Sequence, residues 1–202
     1  MKPRNRFAQG LAALGLLFAA SLAQAFDLAQ LSAQLGQAAV VRGDFTQEKH
    51  LRALPQPLIS QGRFVLAKPY GLLWQLRTPL EQDYRIDAQG IARRTAEGWQ
   101  SQPQQSASAQ QNRLFLAVLQ GDSSGLQQDF ALSLSGTADD WQLQLIPRSA
   151  LLKQIFSAIH IRGGALVQRI ELLETQGDRT LLKLQNSAVD NGLIDAERGD
   201  FD

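Results

Sequence analysis

The chain has 202 residues, with 20 Lys and Arg against 19 Asp and Glu, a formal charge of +1 and no cysteine. The missing thiols exclude disulfides, thiol catalysis, thiolate metal sites and attachment of a lipid to a cysteine of this chain. Its basic residues are scattered, with no groove of interleaved bases and aromatics, which argues against nucleic-acid binding.

The first 25 residues read as an export signal. Lys2, Arg4 and Arg6 precede an apolar run from Leu11 to Leu22, no acid occurs through Ala25, and the small-residue triplet Ala23-Gln24-Ala25 follows. A positive start, a short apolar centre and an A-x-A site are what a signal peptidase needs. A membrane anchor is the alternative, but about twelve apolar residues fall short of the roughly 20 that cross a bilayer. Cleavage after Ala25 leaves residues 26–202 as one domain. It removes three of the 20 basic residues and none of the 19 acids, for a mature charge of −2 (17 against 19). A cysteine-free exported domain must rely on its core, and one of this size buries roughly 70% of its unfolded surface.

Asp27 can cap a helix in which Leu28, Leu31, Leu35 and Ala38 share one stripe, with Gly43 as its end. From Asp44 the apolar period becomes two, the strand period. Phe45-Thr46-Gln47 opens a strand running towards Leu54, where Pro55 and Pro57 stop it. In Gly62–Lys68, Phe64 and Leu66 alternate with Arg63 and Val65. In Gly71–Arg77, Leu72, Trp74 and Leu76 alternate with Leu73, Gln75 and Arg77. Pro69-Tyr70-Gly71 is a turn between them. Asp83–Asp87 shows Tyr84 and Ile86 on one face, then turns through Asp87-Ala88-Gln89-Gly90 into weaker strands at Ile91–Thr95 and around Trp99.

Residues 101–112, rich in Ser, Gln and Ala, read as a mobile surface connection entering a helix over Gln111–Gln120 with Leu114, Phe115, Val118 and Leu119. A second short turn from Asp122 or Ser123 brings Leu126 and Phe130 inward. Strands return with Phe130, Leu132 and Leu134, then Trp141, Leu143 and Leu145. Ser149 caps a short helix holding Leu151, Leu152, Ile155 and Phe156. Ile159–Arg162 and Ala165–Glu174 are expected to pair around Gly163-Gly164 as a two-residue hairpin, and Arg179–Gln185 to pair back through Gln176-Gly177-Asp178. The fold class is therefore mainly β with some α: one antiparallel meander, three helices and no internal repeat. So long a sheet must curl to bury one face, giving a closed or half-closed barrel with the helices over the open side.

Chemistry is sparse. His50 and His160 are the only histidines and neither has a carboxylate at metal-site spacing. No nucleophile elbow or phosphate loop is present. Asp139-Asp140 lies in a turn, and Asp200 and Asp202 lie at a frayed terminus. No catalytic constellation, metal site or cofactor site is legible. What remains is apolar bulk on the inward face of the curl: Phe45, Phe64, Leu66, Trp74, Leu76, Tyr84 and Ile86. A small barrel either fills itself with such side chains or holds one ligand, and period and composition leave both open.

Gly62-x5-Lys68-Pro69-x4-Trp74-x4-Pro79, preceded by Phe45-Thr46-Gln47 and followed much later by Asn186-Ser187-Ala188-Val189-Asp190, resembles the periplasmic outer-membrane lipoprotein carrier family of the LolA type. The order of these motifs over residues 27–190 is more specific than any one of them. The segment from Gly121 to Pro147 looks like a divergent branch. The resemblance implies an unclosed barrel lidded by helices, a monomer in the periplasm. Its cavity would hold acyl chains of a lipoprotein or related lipid cargo, passed without catalysis from an inner-membrane transporter to an outer-membrane receptor. It makes Leu114, Phe115, Val118, Leu119, Leu152 and Phe156 lid residues. The family's latching arginine falls at Lys68, which keeps the charge but loses the planar fork. The chain after Asp190 is too short for the family's C-terminal strand region. A sensor or interaction domain on the same fold, binding lipidated or misfolded protein, is the alternative, as is a carrier of a non-lipoprotein glycolipid; a lipid-acting enzyme lacks candidate residues.

Overall fold

Apolar and polar residues alternate along much of this chain because its strands turn one face to the core. The computed structural model describes residues 26–103 and 107–201, with the backbone alone at 107–112. Residues 1–25, expected to be a signal peptide, lie outside the described residues, as do 104–106 of the Ser/Gln-rich connection. Eleven strands form one antiparallel sheet: β1 (Val40–His50), β2 (Leu58–Ala67), β3 (Gly71–Thr78), β4 (Gln82–Asp87), β5 (Gly90–Thr95), β6 (Gly98–Ser101), β7 (Phe130–Thr137), β8 (Asp140–Pro147), β9 (Phe156–Gly163), β10 (Val167–Glu174) and β11 (Arg179–Asp190). Their spatial order is β6-β5-β4-β3-β2-β1-β11-β10-β9-β8-β7, so β6 and β7 are free edges and the barrel is not closed. Two meanders are joined at the middle by β1 and β11.

The described residues hold five helices rather than three: α1 (Leu28–Gly36), α2 (Ala107–Gln120), α3 (Ser123–Asp129), α4 (Ala150–Ile155) and α5 (Asp195–Phe201). Asp27 caps α1, its side chain accepting from the Gln30 amide while the Gln30 side chain accepts from the Asp27 amide. Ser149 caps α4 at the Leu152 amide. The main core lies between the concave face of the sheet and helices α1, α2 and α3, and includes Leu31, Leu35, Phe45, Phe64, Trp74, Phe115, Trp141 and Ile161.

Several local expectations are corrected. The first helix ends at Gly36, and Gly43 lies inside β1. A side chain at Gly43 would meet the Phe64 ring at 2.7 Å and the Gln185 carbonyl at 2.9 Å, so the glycine makes room for an aromatic ring. β1 ends at His50 rather than near Leu54. Helix α2 begins at Ala107, four residues earlier than expected, since Ala and Gln are good helix formers. Phe156 is the first residue of β9 rather than a helical residue: it continues the buried alternation of that strand. The Gly163-Gly164 pair is not a two-residue hairpin. Gly163 pairs with Val167, and a side chain at 163 would lie 2.6 Å from the Trp141 ring, so this glycine seats a tryptophan. Finally, the terminus is helix α5, in which Asp200 pairs with Arg94; Asp202 lies outside the described residues.

Candidate functional site

Strand period two carries seven apolar side chains to the concave face. β1 brings Phe45, β2 brings Phe64 and Leu66, β3 brings Trp74 and Leu76, and β4 brings Tyr84 and Ile86. The register sets Phe64 opposite Trp74, Trp74 opposite Tyr84, and Leu66 and Ile86 on either side of Leu72. Phe45 faces Gly62 across the β1–β2 pair, as Phe64 faces Gly43. Each ring lies over the glycine opposite, which leaves space for the next ring to stack. Phe45 and Trp74 are 3.8 Å apart between centroids at 18°, and Phe64 is 6.3 Å from Trp74. Phe45, Phe64, Leu66, Trp74 and Ile86 are buried, whereas Leu76 and Tyr84 are half-buried.

Three helices cover this face. Leu114, Phe115, Val118 and Leu119 fall on one side of α2 and are all buried, with the Phe115 ring 6.1 Å from Trp74. Aromatic contact thus runs from the floor of the sheet into the helix above it. Leu126 of α3 is buried beside them. Leu152 of α4 and Phe156 of β9 are buried in the same core. Helix α1 adds Leu31 and Leu35, two buried side chains that complete the cover.

The ties of α1 are polar and few. Lys68, at the end of β2, donates from Nζ to the Leu35 carbonyl at 3.1 Å. This is one of the last carbonyls of the helix, which no amide of the helix can satisfy. Burial lowers the Lys68 pKa below its usual value. Across the sheet, Gln34 Nε2 donates to the Gly164 carbonyl at 2.6 Å and the Ala138 carbonyl at 3.2 Å. The Ser32 hydroxyl donates to the Ser123 hydroxyl at 2.7 Å. Helix α1 therefore spans from the β2–β3 turn to the β7–β8 and β9–β10 turns. Gln34 and Ser32 were invisible to sequence reasoning, since a polar residue on the outer side of a helix looks the same whether or not it reaches a neighbour.

Between α1, α2, α3 and the sheet is an apolar crevice, with Leu31, Leu35, Val118, Leu126, Trp141 and Ile161 among its walls. Its volume is about 20 Å³, room for about one water molecule. As it stands, this crevice is too small for an acyl chain. The concave face can shelter apolar groups by burial. Among the described residues no three His, Cys, Asp or Glu side chains are grouped to hold a metal ion. His50 sits near Arg179 and Glu48 on the sheet, and His160 near Gln144. No helix among the described residues is long and apolar enough to cross a membrane.

The family model described as "Outer membrane lipoprotein carrier protein LolA" matches residues 36–197. No curated protein matches the chain. Among solved structures it is similar to the MucA/MucB complex of Pseudomonas aeruginosa, with 16% identity and a TM-score of 0.49 over 84% of this chain. The match covers 58% of that longer chain. It is also similar to LolA superfamily protein NE2245 from Nitrosomonas europaea, with 9% identity and a TM-score of 0.47 over 84% of this chain and 96% of the other. A third likeness is a putative outer membrane lipoprotein-sorting protein domain from Vibrio parahaemolyticus, with 10% identity, a TM-score of 0.41 and coverage of 88% and 95%.

Proposed function

The chain belongs to the outer membrane lipoprotein carrier protein LolA family, and from that premise we propose that it is a periplasmic carrier of acyl chains. In this reading the concave face takes up the chains of a lipoprotein or related lipid at an inner-membrane exporter and yields them to an outer-membrane receptor. The observation that carries it is the cover of the concave face: a floor of Phe45, Phe64, Leu66, Trp74 and Ile86 sealed by helices whose polar ties are few, Lys68–Leu35, Gln34–Gly164 and Ser32–Ser123. Burying a CH₂ is worth about 0.8 kcal/mol, so a sixteen-carbon chain represents roughly 12 kcal/mol. Opening costs the apolar contacts between helices and floor, and cargo restores contacts of the same kind. Lys68 then works as a latch, broken on loading and re-formed on release.

The test is binding of a fluorescent apolar probe to the folded mature protein, with displacement by an acylated peptide. Trp74→Glu puts a charge between Phe45, Phe64 and Phe115 and is expected to abolish binding. Circular dichroism monitors the fold, and Leu76→Glu, at a half-buried position on the same face, is the milder second variant. A folded protein that binds no probe, or variants that bind as well as wild type, would make the concave face a solid core.

A further inference from the structure

The opposite, convex face of the sheet carries a second, smaller core. Val40, Val65, Ala67 and Leu73 are buried there, with Trp99, Leu193 and Phe201 packed against them. Helix α5 supplies the last of these and lies across the strands. Arg42 grips Glu197 with Nε and Nη2 at 2.7 and 2.6 Å, and reaches Asp190 with Nη1 at 2.8 Å. Arg94 pairs with Asp200. Arg85 donates to the Phe201 carbonyl at 2.9 Å. The guanidinium groups of Arg94 and Arg85 lie over the Trp99 ring at 4.4 and 5.4 Å. An apolar floor rimmed by three arginines recognises a helix that is apolar on one side and acidic on the other.

Helix α5 meets that description but underfills the seat. None of its residues is buried. Seven residues are fewer than the roughly 12–15 an isolated helix needs in water, so the seat itself holds it helical. Arg94 Nε and Trp99 Nε1 are shielded from solvent and have no hydrogen-bond partner. Arg85 Nε likewise has no hydrogen-bond partner, although Asp87 Oδ2 lies 3.5 Å away as its ion-pair partner. A furrow of about 460 Å³ remains open between the helix and the strands, lined by Arg42, Arg63, Leu73, Gln75 and Glu197 among others. The seat offers more donors and more room than its occupant uses.

We propose that this seat is a docking surface for an acidic amphipathic helix of a partner protein, with α5 as its placeholder in the partner's absence. The seat also touches the lid. The Tyr70 ring is 5.7 Å from Phe201, and two residues back Lys68 holds the Leu35 carbonyl. One turn is thus gripped from the convex side by α5 and from the concave side by α1. A partner that lifts α5 takes Phe201 from Tyr70 and, on the carrier reading on which this link rests, loosens the cover of the concave face.

The experiment uses the full mature chain with α5 loosened by Asp200→Asn and Phe201→Ala, and by Glu197→Gln as well if amide exchange still protects the helix. The probe is a labelled synthetic peptide of residues 191–202, read by fluorescence anisotropy. In wild type α5 competes from within the same molecule at high effective concentration, so the loosened chain is expected to bind at least tenfold more tightly. Adding Arg94→Gln, or raising salt to about 0.5 M, where surface charges are screened within a few ångströms, is expected to weaken that binding at least threefold. A loosened chain that ignores the peptide overturns the proposal, as does binding indifferent to salt and to Arg94→Gln. A doubled mass by light scattering would make a second copy the occupant and overturn it too. Apolar-probe binding is measured in the same samples. Peptide binding without probe binding upholds the seat and removes the carrier reading, so the two fail separately.

Discussion

Replacing Lys68 by Leu removes the hydrogen bond from Nζ to the Leu35 carbonyl and leaves the apolar cover of the concave face intact. A hydrogen bond to a charged group is worth about 1.5–3 kcal/mol. Burial already disfavours the ammonium here, as the lowered pKa shows, so the lower end applies. About 1.5 kcal/mol is roughly a tenfold change in an equilibrium constant. Gln34 and Ser32 still tie α1 at its other contacts, so the fold should survive while the helix lifts about tenfold more often. Amides of residues 28–36 should exchange roughly tenfold faster in the variant. If only the lifted form takes cargo, probe affinity rises by up to the same factor, and transfer from loaded variant to acceptor membranes or receptor slows. Lys68→Gln, which keeps a neutral donor, should fall between the two. Unchanged exchange at 28–36 together with unchanged probe affinity would refute the latch and leave Lys68 a charge at the rim.

Gly62→Ala should be among the most damaging single-methyl changes, because the new carbon would lie 2.0 Å from the Gln75 carbonyl and 2.8 Å from the Phe45 ring. A loss above about 2 kcal/mol in urea denaturation is expected, and wild-type stability would show that the strands part freely there. Asp122 caps α3 by accepting from the Gly125 amide at 2.9 Å, a bond that also lowers its pKa. Asp122→Ala should therefore cost about 1 kcal/mol in the same assay. The hydrogen bonds from Arg42 hold the Glu197 carboxyl below its ordinary 4.5. A lowered acid pKa stabilises above the unfolded value and is lost as pH falls through the folded one. Protection of amides 195–201, corrected for intrinsic exchange, should thus be flat near neutrality and fall below about pH 4.5; protection unchanged down to pH 3 would mean that the ion pair does not hold α5.

Strands are legible wherever large apolar residues recur at every second position. Phe64 and Leu66, then Trp74 and Leu76, repeat at two residues because the concave face demands it, and the same period places Tyr84 and Ile86 beside them. Glycine misled twice. Gly43 and Gly163 look like punctuation in a sequence, yet each lies in a strand because a ring from a neighbouring strand, Phe64 or Trp141, occupies the place of a side chain. That contact is set by a partner residue far along the chain and leaves no local trace. Helix α5 was missed for a related reason. Seven residues, Asp195–Phe201, show no helical period, and the helix exists through Arg42, Arg85 and Arg94, which stand on strands far upstream. Helix α1 was read as a helix from its Asp27 cap, but its span across three turns depends on where Lys68, Gly164 and Ala138 come to rest.

The central pairing of β1 with β11 has a kinetic cost that the finished structure hides. Each strand lies mid-sheet, yet they are far apart in the chain; Val40 pairs with Asp190, 150 positions on (190 − 40). Closing a loop of that length costs roughly 4–5 kcal/mol of chain entropy before any contact repays it. Strands β1 to β6 are neighbours in sequence and can assemble early, leaving β1 as an exposed edge until residues 179–190 arrive. Folding should therefore be slow, as in other sheets dominated by distant contacts. A chain threaded through a membrane amino-terminus first cannot complete this sheet until its last strand has emerged. Until then the open edge of β1 is the surface most in need of a chaperone.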